Sequence, residues 1–107
     1  MIKLLFAGDF IPPSPGAGSI FSHALQDILS DNDFSIVNLE APLTRSIQKI
    51  LKTGNNFRSS PEAVTHIVDS KFDAVCLSNN HITDFDSQGV MDTLETVSYT
   101  HLTLPTN

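Results

Sequence analysis

Three apolar runs alternate with amphipathic segments along this chain, and that alternation constrains the fold more than any other feature. Residues 2–7, 34–39 and 73–77 are nearly continuous in apolar side chains, with Lys3 interrupting the first. Continuous rather than alternating apolar character suits strands covered on both faces, as in a parallel sheet. Between them lie helical patterns. Residues 19–30 place Ile20, Phe21, Ala24, Leu25, Ile28 and Leu29 on one stripe, with Ser19 capping the preceding loop. Ser60-Pro61-Glu62 reads as a helix start, with Ser60 capping and Pro61 in the first turn, followed by Ala63, Val64, Ile67 and Val68. A third helix is expected over 87–95, with Val90, Met91 and Leu94 inward. The order β-α-β-α-β-α implies an α/β fold with mainly parallel strands joined by right-handed crossovers.

Composition narrows the class. Hydrophobic residues make up 40% of the 107, which excludes a disordered tail, a collagen-like chain and a charge-rich coiled coil. The net charge of −6 argues against a nucleic-acid partner, since no basic stripe is present to neutralise phosphates. It leaves a metal partner open, because metals favour carboxylates. Cys76 is the only cysteine and sits in an apolar run, so it reads as a buried, inert thiol. Leu4-Leu5-Phe6-Ala7 is too short for a signal-peptide core, and no stretch reaches the length of a membrane span. The default expectation for location is cytoplasmic.

Two connections are long: residues 9–18, rich in proline and glycine, and residues 40–59, with at most a short helical turn at Ile47, Ile50 and Leu51. Both leave the carboxyl end of an expected strand, the edge where parallel α/β sheets bind ligands. Pro15-Gly16-Ala17-Gly18-Ser19 is not a P-loop, because no Lys-Ser/Thr follows it.

Polar groups mark all three strand ends. Gly8-Asp9 follows the first, Asn38-Leu39-Glu40 ends the second, and Asn79-Asn80-His81, with Asp84 beyond, follows the third. Parallel strands would gather Asp9, Glu40, Asn80, His81 and Asp84 at one edge. Two carboxylates and an amide oxygen suit a divalent cation, and His81 suits a ligand or a general acid. Clustered carboxylates repel one another, and a bound cation relieves that repulsion.

Phe6-Ala7-Gly8-Asp9, Val37 to Thr44, Lys52-Thr53-Gly54, Phe57-Arg58, Ser78 to Asp84 and Gly89 to Leu94 resemble, in order, the motifs of the capsule-synthesis (CapA, poly-γ-glutamate biosynthesis) family over about residues 2–96. The resemblance implies a calcineurin-like metallophosphoesterase fold, of which this chain would be the amino-terminal portion of an α/β sandwich. It further implies Asp9, Glu40 and Asn80 as metal ligands and His81 as an acid or charge stabiliser. Asp84 would orient His81, and Asn38 would brace the loop. Arg58 reads either as a contact to an anionic substrate or as a solvated surface arginine. The implied cofactor is a divalent metal, as two ions drawn from Mn, Fe, Zn or Mg. The implied activity is metal-assisted hydrolysis of a phosphoester or anionic-polymer substrate in the intact parent. The alternatives are a non-catalytic member that binds an anionic polymer or a partner, or an inactive fragment. Many members of this family act at the cell envelope.

The sequence departs from the family pattern in places. Ile11 stands where metallophosphoesterases carry the histidine of Asp-x-His, and Asp86 stands where the family more often has glycine. His23 and His66 read as ordinary helix residues. The family's later histidine motifs have no counterpart, since His101 lacks their context. Residues 97–107 contain no Asp, Glu, Lys or Arg and resemble a translated sequencing-adapter tail. The expected division is therefore a partial domain at 1–96 and a non-native tail at 97–107. The competing reading of that tail is a short β-prone carboxyl-terminal strand.

Overall fold

The computed structural model describes residues 1–16 and 19–104. Ala17 and Gly18 of the glycine-rich loop and residues 105–107 of the tail lie outside the described residues. The elements run β1 (Leu4–Phe10), α1 (His23–Ser30), β2 (Phe34–Leu39), a 3-10 turn (Pro61–Val64), α2 (Thr65–Val68), β3 (Ala74–Cys76) and α3 (Asp86–Ser98). The strands form one parallel sheet in the order β1-β2-β3. The expected α/β order and strand polarity are therefore present.

β1 pairs with β2 through Leu4–Phe34, Leu5–Ser35 and Phe6–Ile36, then resumes at Asp9–Asn38. One extra residue of β1 is accommodated between Phe6 and Asp9, a bulge that carries Gly8 and turns the strand end. Without it Gly8 would stand opposite Asn38. With it Asp9 does.

The core lies on one face of the sheet. Val37 and Leu39 of β2 and Val75 of β3 pack with Leu29 of α1, Ile67 of α2 and Val97 of α3. Phe21 bridges Phe10 and Phe72, with ring centroids 5.4 and 6.1 Å away. The second face differs from the expectation of two-sided burial. Leu4 and Phe6 are 58% and 74% exposed, and Phe34 is also exposed. Alternation puts these three on the face opposite Val37 and Leu39, which is open at β1 and buried at Ala74 of β3.

Helix boundaries and faces also differ from the sequence reading. α1 begins after Ser22, whose hydroxyl accepts from the Leu25 N–H at 3.2 Å, so Ser22 rather than Ser19 is the cap. Ile20 and Ile28 of the expected stripe are exposed. Ser60 occupies a cap position but makes no cap hydrogen bond, and the segment it opens is a 3-10 turn. No helical turn forms at Ile47 to Leu51, and Ile47 and Leu51 are exposed. In α3 the inward residues are Gly89, Thr93 and Val97, while Met91 and Leu94 face solvent. Small side chains are inward because the helix lies close to the 40–44 segment: a Cβ on Gly89 would meet Phe85 Cβ at 3.0 Å and Pro42 Cβ at 3.5 Å.

α3 continues to Ser98 and buries Val97. Beyond it Leu102 is buried, Thr103 pairs with Ala74 in parallel, and the Val75 N–H donates to the Thr103 carbonyl at 3.1 Å. Residues 102–103 thus lie along the free edge of β3. No helix among the described residues is long and apolar enough to cross a membrane.

Candidate functional site

Because the three strands are parallel, their carboxyl ends open on one edge, and side-chain amides tie these ends together. Asn38 donates to Asp9 Oδ1 at 2.6 Å and accepts from Asn79 Nδ2 at 3.0 Å. Asn79 also donates to the Leu39 carbonyl at 2.8 Å and accepts from the His81 N–H at 3.0 Å. Asn38 therefore bridges the ends of β1 and β3 from its place on β2. Each amide here uses both its donor and its acceptor end, which neither a carboxylate nor a lysine can do.

Asp9 and Glu40 lie near one another on this edge, close enough for each carboxyl to shift the other. The Asn38 amide and the Glu40 carboxyl hold Asp9 below its ordinary value. The hydrogen bond with Asp9, followed by burial and the repulsion of the Asp9 charge, pushes Glu40 up. The two carboxyls thus shift in opposite directions, as neighbouring carboxylates do when both cannot ionise freely.

His81 stands beside this pair, with Nε2 3.6 Å from Glu40 Oε1. It is buried, its ring lies against Phe57 at 4.4 Å between centroids, and Nδ1 is 2.6 Å from Asp84 Oδ2. Burial pushes the Asp84 carboxyl up, but Lys52, the Phe57 N–H and His81 outweigh it and leave Asp84 below its ordinary value. An ionised carboxylate only accepts, so Nδ1 carries the proton and Nε2 faces Glu40. Asp84 itself is fully buried and held by Lys52 Nζ at 2.7 Å and by the Phe57 N–H at 2.8 Å.

The structure thus brings Asp9, Glu40, Asn38, His81 and Asp84 into one connected patch. Asn80 is exposed next to His81 and makes no hydrogen bond among the described residues. Arg58 is turned elsewhere. Its Nη1 donates to the Arg45 carbonyl at 3.1 Å and to the Ser46 carbonyl, and its guanidinium lies over the Phe85 ring at 5.3 Å. Among the described residues, no group of three or more His, Cys, Asp or Glu side chains is arranged to hold a metal ion.

Sequence reasoning assigned no role to Lys52, Phe57 or Asn79. Lys52 reaches Asp84 across 32 residues, and Phe57 reaches His81 from the same long connection. The available signal was their presence in Lys52-Thr53-Gly54 and Phe57-Arg58, two of the pieces that carry the family resemblance. Asp86, which replaces the more usual glycine, has φ of 59°, the left-handed conformation that glycine adopts without cost.

The family model described as bacterial capsule synthesis protein PGA_cap matches residues 3–104. No curated protein matches the chain.

Proposed function

The chain belongs to the bacterial capsule synthesis protein PGA_cap family, and from that membership we propose that its strand-end patch is part of a divalent-metal site for hydrolysis of a phosphoester or anionic polymer. The observation that carries the reading is the gathering of Asp9, Glu40 and His81 at the carboxyl edge of the parallel sheet, with Asn38 holding Asp9 at 2.6 Å and His81 Nε2 3.6 Å from Glu40. A divalent cation would relieve the repulsion between two neighbouring carboxylates, since it satisfies both at once. The donor chemistry therefore fits in part: Asp9 and Glu40 would hold the ion with Asn80, whose amide has no other described partner. When bound, the ion would lower the pKa of a water and offset charge on the reacting group.

The chain's own residues do the rest. Asp84, anchored by Lys52 and the Phe57 N–H, holds the His81 proton on Nδ1. Nε2 is left to exchange a proton with a group at the Glu40 side, which is the geometry of a general acid or base. Phe57 covers one side of the imidazole and limits its rotation. A second ion would need donors beyond these residues. Ile11, standing where metallophosphoesterases carry the histidine of Asp-x-His, favours as the second reading a binding role without turnover.

The test is titration of the chain with Mn²⁺, followed by calorimetry and thermal unfolding. Saturable binding that raises the unfolding temperature, and that is lost in Asp9→Ala and weakened in Asn80→Ala, is expected. Absence of any metal-dependent stabilisation overturns the metal reading. Metal binding without hydrolysis of a phosphodiester probe supports the binding role.

A further inference from the structure

A second feature lies beyond the strand-end patch. A cavity of about 540 Å³ opens between the first long connection, at Pro12 to Ser14, and the second, at Arg45 and Arg58 to Ser60. The chain has two arginines and both line it, whereas none of its 12 acidic residues does. In a chain of net charge −6 its lining holds cations and no carboxylate, unlike the two cavities that open beside Asp92 and Glu95.

The two guanidiniums are prepared differently. Arg58 is fixed: Nη1 is spent on the Arg45 and Ser46 carbonyls, and the Phe85 ring lies beneath it. Its Nε and Nη2 make no hydrogen bond among the described residues, so part of a rigid fork is left over. Arg45 is paired with Glu62 at the surface, with side chains 66% and 52% exposed. An exposed pair of this kind is weak and is readily exchanged for a better anion. Two hydroxyls complete the lining. Ser60 stands at a cap position without capping, and the Ser14 side chain makes no hydrogen bond among the described residues. Both are free to donate.

We propose that this cavity is an oxyanion-binding site, which takes an organic carboxylate or phosphate between Arg45 and Arg58 with Ser14 and Ser60 as further donors. The volume falls in the range of small-molecule sites, larger than one phosphate group needs. The ligand therefore extends beyond the oxyanion itself, along the Pro12 and Pro13 wall. Its position relative to the strand-end patch follows from the chain: Arg58 adjoins Phe57, the residue whose ring packs against His81. The proposal does not require a metal at that patch.

The experiment is nitrogen-15 NMR titration of the metal-free chain with three probes: inorganic phosphate, phenyl phosphate and triglutamate. The expected result is saturable shifts at Ser14, Arg45, Arg58 and Ser60. Affinity should drop about tenfold in Arg58→Lys, which keeps the charge but loses the fork, and should fall in Arg45→Gln and Ser60→Ala. Preference for phenyl phosphate or for triglutamate identifies the phosphate or carboxylate source. Arg45→Gln removes only an exposed pair and carries the test if Arg58 variants unfold. Repeating the titration in Asp9→Ala separates this site from the metal reading: binding survives there even if metal binding is lost. Absence of saturable shifts with any probe at millimolar concentration, or affinities unchanged in Arg45→Gln and Arg58→Lys, overturns the proposal.

Discussion

Asp86 shows how one backbone angle records what a position requires. Its φ of 59° precedes the regular turns of α3. A left-handed residue with a Cβ is disfavoured, and aspartate tolerates the conformation better than branched residues do. Its exposed carboxylate also lies in the first turn of α3, where negative charge is favourable. Asp86→Val is expected to cost about 1–2 kcal/mol. Asp86→Gly should stay within about 0.5 kcal/mol of the parent, because relief of strain offsets the lost charge and the freer unfolded chain. Urea unfolding midpoints of the two variants check this. Equal losses in both would show that the carboxylate, not the angle, matters. The sequence marked the position through a glycine expected there, but the angle itself came only with the fold.

The elements are joined by polar contacts that periodicity cannot show. Thr93 of α3 is fully buried, accepts from the Leu43 N–H at 2.8 Å and donates to the Gly89 carbonyl at 2.7 Å. It thereby satisfies a backbone donor 50 residues away. Thr93→Val keeps the shape and strands that N–H, so it should cost about 1–3 kcal/mol, while Thr93→Ser should retain most of the stability. Thermal unfolding of both variants is the measurement, and a Val variant as stable as the Ser variant would dismiss the latch. Helical spacing had favoured Met91 and Leu94 as the inward residues of α3. They face solvent because the helix is drawn close to the 40–44 segment through Gly89 and Thr93, which leaves room only for small groups.

Across the whole molecule, Asp84 is the point where separate segments meet. It binds Lys52 and Phe57 of the second long connection and His81 beyond β3. Its folded value lies below its ordinary 3.8. A lowered carboxylate contributes stability that is fully present above the unfolded value, about pH 4, and lost as the pH falls through the folded value. Acid should therefore weaken the fold progressively below pH about 4. Asp84→Asn should cost about 3 kcal/mol at neutral pH, because it leaves Lys52 uncompensated, and should flatten the acid decline. Urea midpoints measured across that pH range test it. An unchanged acid slope in Asp84→Asn would assign the decline to other carboxylates. At β1 the sheet leaves one face open, with Leu4 and Phe6 outward. The continuous apolar runs of the sequence therefore provide for more burial than the described helices supply.

What the sequence determined by itself was what neighbouring residues encode. Apolar runs and helical spacing set the α/β order, parallel polarity followed from that order, and polarity placed Asp9, Glu40 and His81 at a common edge. The pairing of Asp84 with His81 was implied by the family resemblance of residues 78–84. The tertiary structure decided whatever depends on the path of a long connection or on strand register. The bulge at Gly8 slid Asp9 opposite Asn38, the 40–59 segment delivered Lys52 and Phe57 to Asp84 and His81, and the same segment drew both arginines around one cavity. Local spacing fixes which way a side chain starts, whereas contacts between residues 27 to 50 apart depend on how loops close, and no short-range pattern carries that information.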